Sequence, residues 1–277
     1  VIKDPNINLI SIASYDNFHA KQVVDALERG KHVFVEKPLC MNQQELDWIV
    51  STLDKYPKLI LSSNLILRKS TRFIELKNRI ENGALGKIYH LEGDYDYGRI
   101  AKLTEGWRGT IPNYSVTHGG AIHLIDLILW LSGKKAVTVQ AVGNKVTTKD
   151  SSFNGFSLSC AIIEFEDGST AKITSNFASF TPHHHKLCVY GTLGTFEQSH
   201  LGAAYFNSRE AKQKPEIVEN PYPGISKGAL LNDFIESVLH NREPFPSKRE
   251  VIEAMTISLA IDKSIKTQKK ESIKVPM

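Results

Sequence analysis

The sequence predicts an α/β unit followed by an α+β unit, and three observations carry that prediction. Short apolar, β-rich runs alternate with amphipathic helical stretches as far as residue 64; the alternation then stops; and beyond residue 132 several strand-like runs follow one another without helices between them. Alternation of strand and helix implies right-handed crossovers and a parallel sheet covered on both faces. Consecutive strands imply a large, mostly antiparallel open sheet with helices set apart from it. The expected units are therefore 1–64 and 65–277.

Each element has a local justification. "INLISIA" (7–13) is a short apolar strand, and "NFHAKQVVDALERG" places Ala20, Val23, Val24 and Leu27 at helical spacing before Gly30, a fitting helix terminator. "HVFVE" is a second strand; in "NQQELDWIVSTLDKY", Asn42 and Glu45 stand in capping-box register ahead of an apolar face of Leu46, Ile49, Val50 and Leu53. "KLILSS" is a third strand. A helix near "TRFIELKNRIENG" leads through "ALGK" into the alternating strand "IYHLEGDYDYG". After a buried helix at 121–132 come "AVTVQAVGN", "FSLSCAIIEFEDG", "STAKITSNFASF", "HKLCVYG" and "GTFEQ", with "EDGS" as a hairpin turn. Leu230, Leu231, Phe234, Ile235, Val238 and Leu239 mark one late helix, and Ser247 with Glu250 forms a capping box at the start of another.

Composition excludes several function classes. The 277 residues are 41% hydrophobic and 23% charged, an ordinary globular balance able to bury two cores. Net charge is +4, but the only basic run, "KTQKKESIK", closes the chain and suits a solvated helix end, so no nucleic-acid partner is expected. Three cysteines without a CxxC spacing argue for reduced thiols and a cytoplasmic location. "AIHLIDLILWLSG" is shorter than the roughly 20 residues a membrane span needs and carries Asp126, so no membrane partner is expected. "TPHHHKLC" offers His183, His184 and His185, yet neighbours in a strand point to opposite faces, and no metal site is expected. "YGTLGTFE" lies between strands with no helix to follow and reads as a turn.

Two stretches could carry chemistry. In a parallel α/β sheet, ligands sit outside the carboxyl ends of the strands, where Glu36, Lys37 and Pro38 fall. Pro38 stiffens that turn, so Lys37 presents its ammonium from a fixed backbone and could polarise a hydroxyl or carbonyl. On the helix of "THGGAIHLIDLILWLSG", His123 and Asp126 are three residues apart on a shared face. Histidine titrates near neutrality and could take a proton from an alcohol. Taken singly, Glu36 and Lys37 also read as an exposed pair at a strand end, and His123 as a core histidine capped by an acid.

Together, in order, "IASYDNFH" at a strand end, "EKPL", "GWR", "GG" before "HLIDLILWLSG", and "VYGTLGTFE" resemble the Gfo/Idh/MocA family of NAD(P)-dependent oxidoreductases. The resemblance covers nearly the whole chain. It implies a Rossmann domain joined to an α+β domain, a cofactor that is NAD or NADP, and a sugar, polyol or nucleotide sugar as substrate. It further implies that Lys37 is the active-site lysine and His123 the acid/base; Asp126, one helical turn from His123, is the third catalytic candidate by its spacing. The backbone around Ser14, Asn17, His19, Glu36 and Pro38 would border the nicotinamide. Asn64, Tyr97, Trp107, Arg108, Tyr114 and His118 are the expected substrate-side residues. A homo-oligomer formed through the open sheet is expected by the same resemblance.

The sequence departs from the family pattern in two ways. Gly119 stands four positions before His123, where family members usually carry an acidic residue, leaving His118 or Asp126 as substitutes, or His123 and Lys37 acting alone. The first Rossmann strand, its Gly-rich turn and the following helix are not among these residues, so the parallel sheet is expected to be truncated, with strand 7–13 as an open edge and weak dinucleotide affinity. The rival expectation is a non-catalytic sugar-binding or scaffolding relative.

Overall fold

The computed structural model describes residues 1–222 and 228–276. Its first sheet holds three parallel strands in the order β1 (Leu9–Ile12), β2 (His32–Val35) and β3 (Leu61–Ser63). The crossovers are α1 (His19–Leu27) and α2 (Gln43–Lys55), whose periodic apolar residues Val23, Val24, Leu27, Leu46, Ile49 and Leu53 are buried. Gly30 closes the first crossover helix in the left-handed conformation (φ +71°). At α2, Asn42 accepts from the Glu45 backbone N–H, but the Glu45 carboxylate reaches Met41 N–H instead of Asn42, one residue beyond a true capping box. Among the described residues β1 pairs only with β2, so it is an edge.

Next come α3 (Thr71–Glu81), β4 (Ile88–Asp96), the single turn α4 (Ala101–Thr104) and α5 (Ile122–Ser132). The second sheet gathers β4 with β5 (Ala136–Asn144), β6 (Leu158–Phe165), β7 (Thr170–Asn176), β8 (His184–Gly191), β9 (Thr195–Ser199), β10 (Gly202–Phe206), β11 (Glu216–Ile217) and β12 (Glu271–Ser272). Its order is β11-β10-β9-β8-β4-β7-β6-β5-β12, antiparallel throughout except for the central β4–β7 pair. The "EDGS" turn joins β6 and β7 with Gly168 at φ +82°. β10, β11 and β12 were not legible in the sequence: they are short, and β11 and β12 have two residues each, too few for a periodic signal.

The buried helix begins one turn earlier than its pattern suggests, as a π-turn over Thr117–Ala121 that runs into α5. α5 lies against one face of the large sheet at Gly93, where a Cβ would come within 3.2 Å of Leu124 and Ile128. The last helices, α6 (Ala229–Leu239) and α7 (Lys248–Thr267), return towards the first sheet. Phe34 of β2 packs with Leu230 and Phe234 of α6, and Ser62 of β3 donates to Pro246 O at 2.7 Å. α7 begins with the expected Ser247–Glu250 capping box and also braces the large sheet, its Ser264 hydroxyl accepting from Ala141 N–H at 2.9 Å.

Candidate active site

The carboxyl ends of β1, β2 and β3 supply one side of the site. His19, at the start of α1, is fully buried, with Nδ1 2.7 Å from Pro38 O and Nε2 3.1 Å from Ser14 O. It thereby ties the turn after β1 to the Lys37–Pro38 turn, whose peptide is cis. Ser14 donates to Gln22 at 2.8 Å, and Asn17 is exposed beside it. Glu36 accepts from Asn64 Nδ2 at 2.6 Å, which links the ends of β2 and β3.

The other side comes from the π-turn, α5 and the large sheet. Lys37 Nζ crosses to donate to Gly119 O at 2.6 Å. That carbonyl belongs to the π-turn that runs into α5 and His123, and the amine comes close enough for its charge to act on the imidazole. His123 is 8% exposed and its Nδ1 has no hydrogen-bond partner. Burial holds its pKa well below the ordinary histidine value, and the charges of Lys37, His185 and His183 add to that effect. Burial also lowers Lys37, helped by Arg108 and opposed by Asp16, Glu36 and Tyr97. The centre therefore offers a neutral imidazole able to accept a proton and an amine able to donate a hydrogen bond.

Tyr97 is stacked on Tyr95 (centroids 5.5 Å apart) and sits 5.1 Å from His183. Burial would raise its phenol, but hydrogen bonds from Arg99 and Lys102 and the charges of Lys102 and Arg108 bring it below the ordinary value. Trp107 stacks on Tyr15 at 4.5 Å, joining the chain before α5 to the turn after β1, and Arg108 lies 4.4 Å over the Trp107 ring. Arg108 Nε donates to Tyr114 Oη at 3.1 Å.

Two expected residues lie elsewhere. Asp126 is not available to His123: its carboxylate accepts from Arg68 Nε and Nη2 at 2.7–3.1 Å, and Arg68 also binds Glu250. Arg68 and Asp126 are both 1% exposed, a buried ion pair that ties α5 to the start of α7. His118 is likewise engaged by α7, with Nδ1 2.7 Å from Ser258 Oγ and Nε2 3.3 Å from Asp262. Neither is hydrogen-bonded to His123.

Sequence reasoning missed three groups. His183 and His185 share one side of the chain at the start of β8; their rings lie 5.0 Å apart, and His185 lies 5.9 Å from His123. The signal was present: residues two apart in a strand do face one way, which the argument from adjacent histidines passed over. Among the described residues no group of three or more His, Cys, Asp or Glu is placed to hold a metal. Asp16, buried with Oδ2 unpartnered, is the third, and no local pattern in the sequence marks it.

Asn64 Oδ1, Ser63 Oγ, Asp16 Oδ2 and His123 Nδ1 are buried polar atoms without partners at or beside these strand ends. Unspent donors and acceptors of this kind fit the polar nicotinamide end of a dinucleotide. Two family models match the chain: one described as an oxidoreductase family with an NAD-binding Rossmann fold, over residues 1–64, and one described as the GFO/IDH/MocA C-terminal domain, over residues 73–197. The chain belongs to the Gfo/Idh/MocA family of oxidoreductases. It is similar to a Gfo/Idh/MocA relative, the myo-inositol 2-dehydrogenase of Thermotoga maritima, with 23% identity over 99% of this chain and 82% of that protein. The scyllo-inositol 2-dehydrogenase (NAD(+)) of Bacillus subtilis shares 24% identity over 73% of this chain and 59% of its own length. A solved levoglucosan dehydrogenase in complex with NADH superposes with a TM-score of 0.85 at 20% identity, covering 99% of this chain and 82% of that one.

Proposed function

We propose that the protein is a dehydrogenase that interconverts a secondary alcohol of a polyol or sugar and its ketone, with NAD or NADP as the hydride carrier. The observation that carries this reading is the Lys37 hydrogen bond to Gly119 O, four residues ahead of a buried, neutral His123. The ends of β1, β2 and β3, with the turn from Ser14 to His19 and Pro38, would hold the nicotinamide, which would supply hydride exchange with the reacting carbon. In the oxidative direction, Lys37 donates a hydrogen bond to the substrate oxygen and thereby orients it. His123 accepts the hydroxyl proton as the carbon–oxygen double bond forms; in the reverse direction its conjugate acid returns that proton. Asn64, Tyr97 and Arg108 are the substrate-side residues of this reading, Tyr97 and Arg108 lying close enough to Lys37 for their charges to act on it. Relatives that act on inositols and levoglucosan support a cyclic polyol or sugar as substrate.

The presence of both reactive side chains favours an enzyme over a non-catalytic binding relative. Reduced thiols at Cys40, Cys160 and Cys188 suit a cytoplasmic enzyme. No helix among the described residues is long and apolar enough to cross a membrane. The outer face of the large sheet, with Val142 67% and Ile162 44% exposed, is the surface we assign to self-association.

Reduced nicotinamide formation by the holoenzyme with myo-inositol, scyllo-inositol and levoglucosan tests this reading. His123→Ala and Lys37→Met are each expected to lower kcat/KM by about 10²- to 10⁴-fold while melting like the parent. Variants that keep the parent rate would overturn the assignment.

A further inference from the structure

Gly119 and Gly120 are a pair in search of a reason, because neither has a positive φ. Space supplies one. A Cβ on Gly120 would fall into the Tyr95 ring, and one on Gly119 would collide with the Tyr114 hydroxyl and lie 2.7 Å from its ring carbon Cζ. Each glycine is the seat of a tyrosine.

The two seats differ in what they hold. Tyr95 presents ring carbons to Gly120, whereas Tyr114 presents its oxygen to Gly119, the residue whose carbonyl takes the Lys37 ammonium at 2.6 Å. Tyr114 is 3% exposed, and its oxygen accepts from Arg108 Nε. That bond fixes the phenol and leaves its own proton to be given away, yet among the described residues no hydrogen bond has Tyr114 Oη as donor. A buried hydroxyl donor against the residue that takes the Lys37 hydrogen bond is thus unspent, in the space a side chain at position 119 would otherwise fill.

We propose that Tyr114 is a specificity-determining residue: held over Gly119 by Arg108, its hydroxyl donates to a substrate oxygen on the carbon next to the one that reacts. The inference rests on the dehydrogenase reading and deepens it. A carboxylate at position 119 would accept a hydrogen bond from a substrate hydroxyl; a phenol whose oxygen is already occupied by Arg108 gives one. The preferred substrate therefore carries a vicinal oxygen with a free lone pair, be it hydroxyl, ether or carboxylate. A site built to bond such an oxygen discriminates strongly against an analogue that lacks it.

The test compares the parent holoenzyme with Tyr114→Phe on whichever of myo-inositol, scyllo-inositol and levoglucosan it oxidises, and on the vicinal monodeoxy analogue of that substrate. The expected result is a KM raised about tenfold with kcat changed less than about threefold, and loss of the parent's discrimination against the deoxy analogue. A second measurement reads the seat itself. Gly119→Ala should lower the melting temperature in the parent and lower it much less in a Tyr114→Ala background, a non-additive cycle. Tyr114→Phe kinetics equal to the parent on both substrates, or a Gly119→Ala effect indifferent to residue 114, would overturn the proposal. If the parent turns over none of the polyols, the dehydrogenase reading falls and this inference with it; turnover with Tyr114→Phe unchanged removes this inference alone.

Discussion

His123 is a base because of where it is buried. Desolvation, the Lys37 charge and two neighbouring histidines all disfavour the imidazolium, so the ring stays neutral well below pH 6.5. His185 is pushed well below its ordinary value by the same burial, and His183 to about 4. Two consequences can be measured. The acid limb of the kcat/KM profile for alcohol oxidation should fall below pH 6.5, whereas an exposed histidine would place it there. Stability should also depend on pH. Above pH 6.5 these rings are neutral in both states; below it the unfolded chain binds protons that the folded chain refuses. The free energy of unfolding should therefore fall by about 1.4 kcal/mol per pH unit for each of His123 and His185, beginning near pH 6.5 and continuing towards their folded values. Urea titrations between pH 7.5 and about 5 would read that slope. A flat stability curve over that range would mean the rings protonate in the fold. Of these residues the sequence picked out His123 by resemblance, but its neutrality comes from burial first and then from Lys37, His185 and His183, which are far away along the chain.

Among the elements, α5 and the π-turn before it decide the site. Asp126 follows His123 by three residues, which on a helix leaves the two side chains about 60° apart in projection. On a surface helix that is one face. α5 is buried nearly all round, so 60° suffices to give the residues different partners: His123 meets His185, and Asp126 meets Arg68. Removing the carboxylate by Asp126→Ala would leave Arg68 a buried cation with only the partly exposed Glu250, at an expected cost of about 3–5 kcal/mol in urea unfolding. The paired change Arg68→Met with Asp126→Leu should cost much less, because the one carboxylate it leaves without its arginine, Glu250, is 35% exposed and still accepts from Ser247. The glycine pair follows the same logic. A glycine inside a helix costs about 1 kcal/mol against alanine, and two in a row within one turn need a tertiary reason. The seats of Tyr114 and Tyr95 provide it, and no local pattern in "THGGA" could name those rings.

For the molecule as a whole, the late helices matter as much as the two sheets. α6 closes over the first sheet through Phe34 and Phe234, whose rings lie 5.5 Å apart, and α7 touches both sheets. Phe234→Ala should therefore destabilise by about 3–5 kcal/mol. It should also loosen the Lys37 turn, since β2 carries both Phe34 and the chain that leads to Lys37. Hydrogen exchange at Val33–Val35 would show it as faster exchange than in the parent. The rhythm of the fold is legible residue by residue: parallel strands with helices first, then a run of strands, with Lys37 at a strand end and His123 on a buried helix. Those features are local, because hydrophobic period, caps and turn residues act within a few positions of one another. Which polar groups share a space came from long-range packing. It gave Asp126 to Arg68 and His118 to α7, brought His183, His185 and Asp16 to the site, and put a phenol where residue 119 has no side chain. The physical reason is that burial, charge and room are properties of neighbours in space, and the neighbours that set them here come from as far as 184 positions along the chain.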